Sequence, residues 1–493
     1  MSQSCPRCAV PLHALRPRRR IEMVLFDLLI KDGFLVDPAF NRNGRFDVAI
    51  AGGQVAQVEP EISPDKARKI FNASGQWVFP GLVDTHVHLT GFHGTGGYKM
   101  LARAGVTCAL ECFGPVGPII EGMAADGAGI SVAVLHSLDP GVTISGPGAR
   151  KAELSEYLDR TLDAGGFGFK ILGGHLPLSP ETTSEAIEVA NRAGAYVAFH
   201  CGSKKNGSNL KGLLDAITFA GENALHICHV NAYCRGATHG SPVTESMIAL
   251  KELSLRPHLV SESHMGPLNA CWSRLENGIP RSHVTRSCLE AGGFEANAEG
   301  LRSAALSGHM LVQKVTARGV IYLKPDDAAA YLEETGYDVT VSFPVNKRST
   351  AFLMATEKDR KGRFIVTALS TDGGCLPRNF LLSHGLSLVR FDALKLPEFV
   401  NKCSWAPARM LGLRGKGHLG VGADADVVVV HPEKQEAVLT VVGGEIIMMN
   451  QVVLGGGGTI VTTERGKEKL KEKGVPSIAA DLEDSLFYSR QGS

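Results

Sequence analysis

A chain of 493 residues with 51 basic and 50 acidic side chains carries a net charge of only +1, which gives it no hold on nucleic acid or an anionic membrane surface. With 44% apolar and 20% charged residues, it has the composition of a soluble protein with a large core, long enough for one large domain and a smaller one. No apolar run approaches the ~18 residues of a membrane-spanning helix, and the 11 scattered cysteines read as reduced thiols in a cytoplasmic protein.

Residues 1–22, MSQSCPRCAVPLHALRPRRRIE, are basic and lack apolar periodicity, which predicts a disordered extension. Cys5 and Cys8 are not followed by a second pair at zinc-finger spacing. Across residues 23–80 short alternating runs such as VLFDLLIKDGFLVDP and RFDVAIAGGQVAQVEP predict antiparallel strands. The same texture returns at 411–462, in GADADVVVVHP and EAVLTVVGGEIIMMNQVVL. Together the two segments predict one small β-sandwich domain built from both chain ends.

Between them, residues 81–410 alternate apolar runs with Gly-punctuated loops and amphipathic stretches. The runs are LVDTHVHL (82–89), VTCALE (106–111), SVAVLH (131–136), GFGFKI (166–171), AYVAFH (195–200), ALHICH (224–229), HLVSES (258–263) and FIVTALSTD (364–372). Eight strands separated by helices predict an α/β fold of the (β/α)8 TIM-barrel type. A doubly wound open sheet is the alternative, but no Gly-rich dinucleotide fingerprint follows the first run. Residues 264–363 form an insertion far longer than a crossover and predict a lid or subunit contact over the barrel mouth. The charged stretch at 463–493 predicts a solvated C-terminal arm.

Barrel enzymes place their sites at the C-terminal ends of the strands, and here those ends carry chemistry. The first run ends with His86 and His88, which share one face of a strand. The fourth ends near Lys170, the fifth at His200, the sixth at His229 and the eighth at Asp372. Neutral imidazoles and a carboxylate are metal ligands. Lys170 lies among Phe167, Phe169, Ile171 and Leu172, where desolvation and nearby cations are expected to depress its pKa. A neutral amine there captures carbon dioxide as a carbamate, whose two oxygens are enough to bridge two divalent cations. Asp372, in LSTDGG, is expected to bind one metal and hold the attacking water through its other oxygen, while Gly373 lets substrate approach the backbone. Tyr233 is a candidate donor to the oxyanion and Arg235 a candidate partner for a substrate carboxylate. His264 and His258 are candidate pocket residues near the seventh strand.

These residues resemble the amidohydrolase superfamily. PGLVDTHVHL is similar to its first-strand metal motif, Lys170, His200, His229 and Asp372 follow in the family's order, and NKCSWAPARMLGLRGKGHLGVGADADVVVV is similar to its return into the β-sandwich. The resemblance implies two divalent metal ions, commonly zinc. His86, His88 and Asp372 would hold the more buried ion, His200 and His229 the more exposed one, and carbamylated Lys170 would bridge them. It also implies a homo-oligomer acting on a small-molecule substrate. A lysine carbamate is similar to dihydroorotase, hydantoinase and dihydropyrimidinase, which open cyclic amides. VAFHCGSKK, ICHVN and LSTDGG look more like isoaspartyl dipeptidase and D-aminoacylase, which cut linear amides. Ala232 stands where the dipeptidase pattern has an arginine after HVN, which leaves Arg235 or Arg378 to grip a carboxylate.

The reaction expected is hydrolysis of a C–N amide bond by a metal-bridging hydroxide, with Asp372 taking the proton and delivering it to the departing nitrogen. The same residues speak against two rival readings. A mononuclear-metal deaminase would carry a glutamate soon after the fifth strand's histidine, and HCGSKKNGSN has no carboxylate. A non-catalytic scaffold member would have lost ligands, and all six positions are filled.

Overall fold

The structure, a computed structural model, describes residue 1 and residues 25–89, 96–316 and 319–489. The predicted extension at residues 2–22 lies outside the described residues.

All eight predicted runs are strands of one barrel, numbered here in barrel order. They are β1 (Leu82–His88), β2 (Val106–Glu111), β3 (Ser131–Leu138), β4 (Gly168–Ile171), β5 (Tyr196–Phe199), β6 (Leu225–Ile227), β7 (Leu259–His264) and β8 (Ala368–Ser370). Each pairs in parallel with the next. The ring closes where Gly373 and Gly374 pair with Val87 and His88 of β1. The strands read as continuous β-branched and apolar runs because both faces are covered, by helices outside and by packed side chains within. Those inner and outer layers include Leu110, Leu135, Phe169, Val197 and Ile227, all fully buried.

Both chain ends contribute to a second, nine-stranded sheet. Residues 26–80 and 427–453 meet where Val427–Val430 pairs antiparallel with Trp77–Pro80. Leu28, Ile30, Val48, Val429 and Val441 share its core. The sheet is mixed rather than antiparallel throughout, since Phe26–Asp37 pairs in parallel with Ala67–Asn72 and Trp77–Pro80.

The insertion folds around its own apolar centre of Leu289, Leu301, Val312, Leu332, Val341 and Phe343. Its antiparallel sheet runs in the order Cys271–Trp272, Thr340–Ser342, Leu311–Thr316, Gly319–Tyr322. Trp272, Val284, Thr340 and Asn346 from this unit line the barrel's cavity.

The C-terminal segment is not the solvated arm its charge suggested. Thr459–Thr462 pairs in parallel with Ser131–Ala133 of β3, and Ser477–Ala479 pairs with it in turn. The added strand takes the edge of β3 that β4 leaves open, because β4 pairs only with Leu135–Leu138. Leu470, Leu482 and Phe487 are buried, and Phe487 stacks on Tyr196 of β5 with ring centroids 4.1 Å apart. Among the described residues no helix is long and apolar enough to cross a membrane.

Candidate metal centre

His86, His88, Lys170, His200, His229 and Asp372 all line one cavity of about 80 Å³ at the C-terminal end of the barrel. Alternation along β1 puts His86 and His88 on the same face, with ring centroids 5.3 Å apart. His88 Nε2 lies 3.0 Å and His86 Nε2 3.5 Å from Asp372 Oδ1. Lys170 Nζ is 3.3 Å from His86 Nε2. The His229 ring stacks on His86 at 5.0 Å and meets His200 edge-on at 4.5 Å.

Buried carboxylates brace this constellation. Asp84 Oδ1 accepts from the His86 and Thr371 N–H groups and so ties β1 to the turn after β8. Glu262, on β7, is fully buried. Its Oε1 lies 2.7 Å from His86 Nδ1 and accepts the His229 N–H at 2.7 Å, while Ser370 donates to Oε2. Burial pushes Glu262 up to about 8 and Asp84 up to about 7. With Glu262 on Nδ1, the His86 tautomer that leaves Nε2 free to coordinate is favoured.

Burial holds His86, His200 and His229 well below the ordinary histidine range, so all three are neutral imidazoles. Asp372 is held well below the usual carboxylate range: burial works against its charge, but the Arg378 guanidinium outweighs it, aided by His86 and His88. Arg378 Nη2 lies 2.6 Å from Asp372 Oδ2 and its Nε donates to the Asp372 carbonyl.

Five expectations change here. Lys170 is held above its ordinary pKa range, the reverse of the direction expected. Burial lowers it, but the sulfur atoms of Cys112 and Cys228, a hydrogen bond to Cys228 Sγ at 2.8 Å and the Asp372 carboxylate outweigh that cost. Arg378 is paired with Asp372 Oδ2 and is therefore not free to grip a substrate carboxylate. Tyr233 lies behind the histidines, fully buried, where its hydroxyl oxygen accepts the Cys201 N–H at 2.8 Å. Gly373 serves the barrel seam: a Cβ there would collide with Asn379 Oδ1 and Thr371 Oγ1. His258 sits at the opposite end of β7, where it meets the Gly221 carbonyl.

Arg235 and His264 do line the cavity. Arg235 lies against Asn346 Oδ1 at 3.2 Å, and among the described residues no carboxylate pairs with it. His264 Nε2 is 3.2 Å from Asn346 Nδ2. Missed by the sequence reading were Glu262, Cys228 and His175, together with the Phe113 and Trp272 rings that wall the cavity. Glu262 had a legible signal, since it stands two residues before His264 on one strand and so faces the same way.

The donor set suits divalent cations. One atom each from His86, His88 and Asp372 lies within 4.8 Å of the others, and His229 Nδ1 is buried with no hydrogen-bond partner among the described residues.

A model of the amidohydrolase family matches residues 77–453. A dihydroorotase of Pelotomaculum thermopropionicum is 25% identical over 441 residues, covering 83% of this chain and 90% of its own. Among solved structures, the chain is similar to dihydropyrimidinase from Brevibacillus agri (TM-score 0.58, 16% identity, 88% of this chain and 97% of that one). It is also similar to N-acyl-D-glutamate deacylase from Bordetella bronchiseptica, solved with zinc and a phosphonate inhibitor (TM-score 0.61, 16% identity, 88% and 99%).

Proposed function

The chain belongs to the amidohydrolase family, and from that premise we propose that it hydrolyses a C–N amide bond of a small molecule, either a cyclic amide or imide or an N-acyl amino acid or dipeptide. The observation that carries this reading is the convergence of four imidazoles, Lys170 and Asp372 from β1, β4, β5, β6 and the β8 turn on one cavity. His86, His88 and Asp372 would hold one divalent ion and His200 and His229 a second; beside two such cations Lys170 would give up the proton that the metal-free site favours and would serve both as its carbamate, and zinc suits this nitrogen and oxygen donor set. When bound, such ions polarise the substrate carbonyl and bring the acidity of water near neutral pH.

Asp372 accepts the proton of the attacking water and returns it to the departing nitrogen. Arg378 keeps that carboxylate ionised and oriented. Arg235, with no acidic partner of its own among the described residues, is placed to pair a substrate carboxylate. Phe113 and Trp272 exclude water from the reacting group. Nine described cysteines are buried, which supports a reducing, cytoplasmic setting, and self-association is carried over from the resemblance.

Metal content per chain by elemental analysis, with intact mass before and after mild acid, tests the assignment. Two ions and an acid-labile carbon dioxide adduct on Lys170 are expected, with turnover of dihydroorotate, a hydantoin or an N-acyl amino acid. A single ion on an unmodified lysine would move the reading to a one-metal site, and a metal-free, inert protein would overturn it.

A further inference from the structure

His175 is outside the ligand set, yet its ring lines the same cavity edge-on to His200, at a centroid separation of 4.7 Å. The loop after β4 can lie this close because Gly173 and Gly174 carry no side chains. A Cβ on Gly174 would collide with His200 Nε2, and one on Gly173 with the Gly202 carbonyl. The Gly174 N–H donates to the His200 carbonyl at 3.2 Å and fixes the loop on the end of β5.

From the other side the insertion clamps the imidazole. Ser282 Oγ lies 2.8 Å from His175 Nδ1, the His283 N–H donates to the His175 carbonyl at 3.3 Å, and the Trp272 ring is 5.4 Å away. Ser282 caps the helix His283–Ala291 by accepting the Thr285 N–H. Ser282 Oγ and His175 Nδ1 can pair with either one as the donor. Where the hydroxyl gives its one hydrogen to Nδ1, the ring proton resides on Nε2, which has no hydrogen-bond partner among the described residues.

We propose that His175 is a further catalytic residue, a neutral hydrogen-bond donor whose Nε2–H is aimed at the substrate carbonyl oxygen as charge develops on it. The proton stays on nitrogen throughout, and Ser282 is its positioning residue. The assignment rests on the C–N hydrolase reading and supplies the oxyanion donor that Tyr233 does not. Removing one such donor costs about 100- to 1,000-fold in kcat.

The test uses the full chain, loaded with zinc, and two readouts. The first is the nitrogen spectrum of 15N-histidine-labelled protein, with His175 assigned by its loss in His175→Ala. An Nε2–H tautomer with Nδ1 as acceptor is expected before and after zinc addition, and Ser282→Ala is expected to disturb it. The second is turnover of dihydroorotate, hydantoins and N-acyl amino acids. His175→Ala is expected to lower kcat about 100-fold with KM and metal content close to wild type, and His175→Gln, which keeps an N–H donor, to recover about tenfold. An Nε2 signal that moves to a metal-bound position, or an alanine variant that loses zinc, makes His175 a ligand and overturns the proposal. Unchanged kcat, or an Nδ1–H tautomer, overturns it as well. A wild-type protein inert on every substrate refutes the hydrolase reading instead, and the tautomer then decides alone whether the cavity holds this donor.

Discussion

Replacing Glu262 with leucine should damage both the fold and the metal centre, by separable amounts. The carboxylate is fully buried and serves the His86 Nδ1–H and the His229 N–H, each at 2.7 Å, and the Ser370 hydroxyl. Leucine fills similar space but accepts nothing. The Ser370 hydroxyl can rotate to another acceptor; the two N–H groups cannot. At about 1–3 kcal/mol for each orphaned buried donor, the loss is roughly 2–6 kcal/mol. That is a large part of a domain stability of about 5–15 kcal/mol. Zinc affinity should fall a further 10- to 100-fold, roughly, because His86 loses the partner that fixes its tautomer. Glu262→Gln is the control: its carbonyl oxygen accepts both N–H groups, and its amide donates to Ser370. Thermal melting of chelator-treated protein reads the first effect, and competitive zinc chelation reads the second. A leucine variant with unchanged melting and unchanged zinc affinity would refute the bracing role. A glutamine variant as damaged as leucine would show that charge, not hydrogen bonding, is what Glu262 contributes.

Asp372→Asn should keep most of its metal, by elemental analysis, yet lose most turnover, and near-normal turnover would remove Asp372 from the proton transfer. Lys402 is fully buried, donates to the Val366 carbonyl at 2.6 Å, and burial depresses it to about 7. Because its folded pKa lies below the unfolded value of about 10.4, the unfolded chain binds more protons between those limits, so stability should rise with pH from about 7 to about 10. Lys402→Met should flatten that rise and raise stability at pH 6 by roughly a few kcal/mol, both read from melting temperature against pH. Phe487→Ala, which empties the stack on Tyr196, should cost about 3–5 kcal/mol, whereas a solvated arm would tolerate it without change in melting.

The barrel was legible because each strand is a short run of β-branched and apolar residues, and its buried surroundings ask for little else. His86 and His88 were legible because alternation puts i and i+2 on one face, and the same rule joins Glu262 to His264. The rule fails at Cys228 and His229, which are adjacent and cannot share a face of a regular strand. Both turn inward because His229 adopts φ 31°, in the left-handed region that a side chain disfavours. Its N–H bond to Glu262, 33 residues away, helps hold it there. Lys170 was misjudged for a related reason. Its local neighbours are apolar, but the groups that raise its pKa, Cys112 after β2, Cys228 after β6 and Asp372 from the β8 turn, come from other strands. The C-terminal segment hid behind composition, since ERGKEKLKE is almost wholly polar while Gly466 and Leu470 are buried against the body of the protein. Patterns with a period of two residues therefore carry the ligand positions, whereas protonation, tautomer and backbone strain are set across strands that the chain joins only on folding. Those are the properties that determine whether a set of ligands becomes a hydrolytic centre, and His175, positioned by β5 on one side and by the insertion on the other, belongs with them.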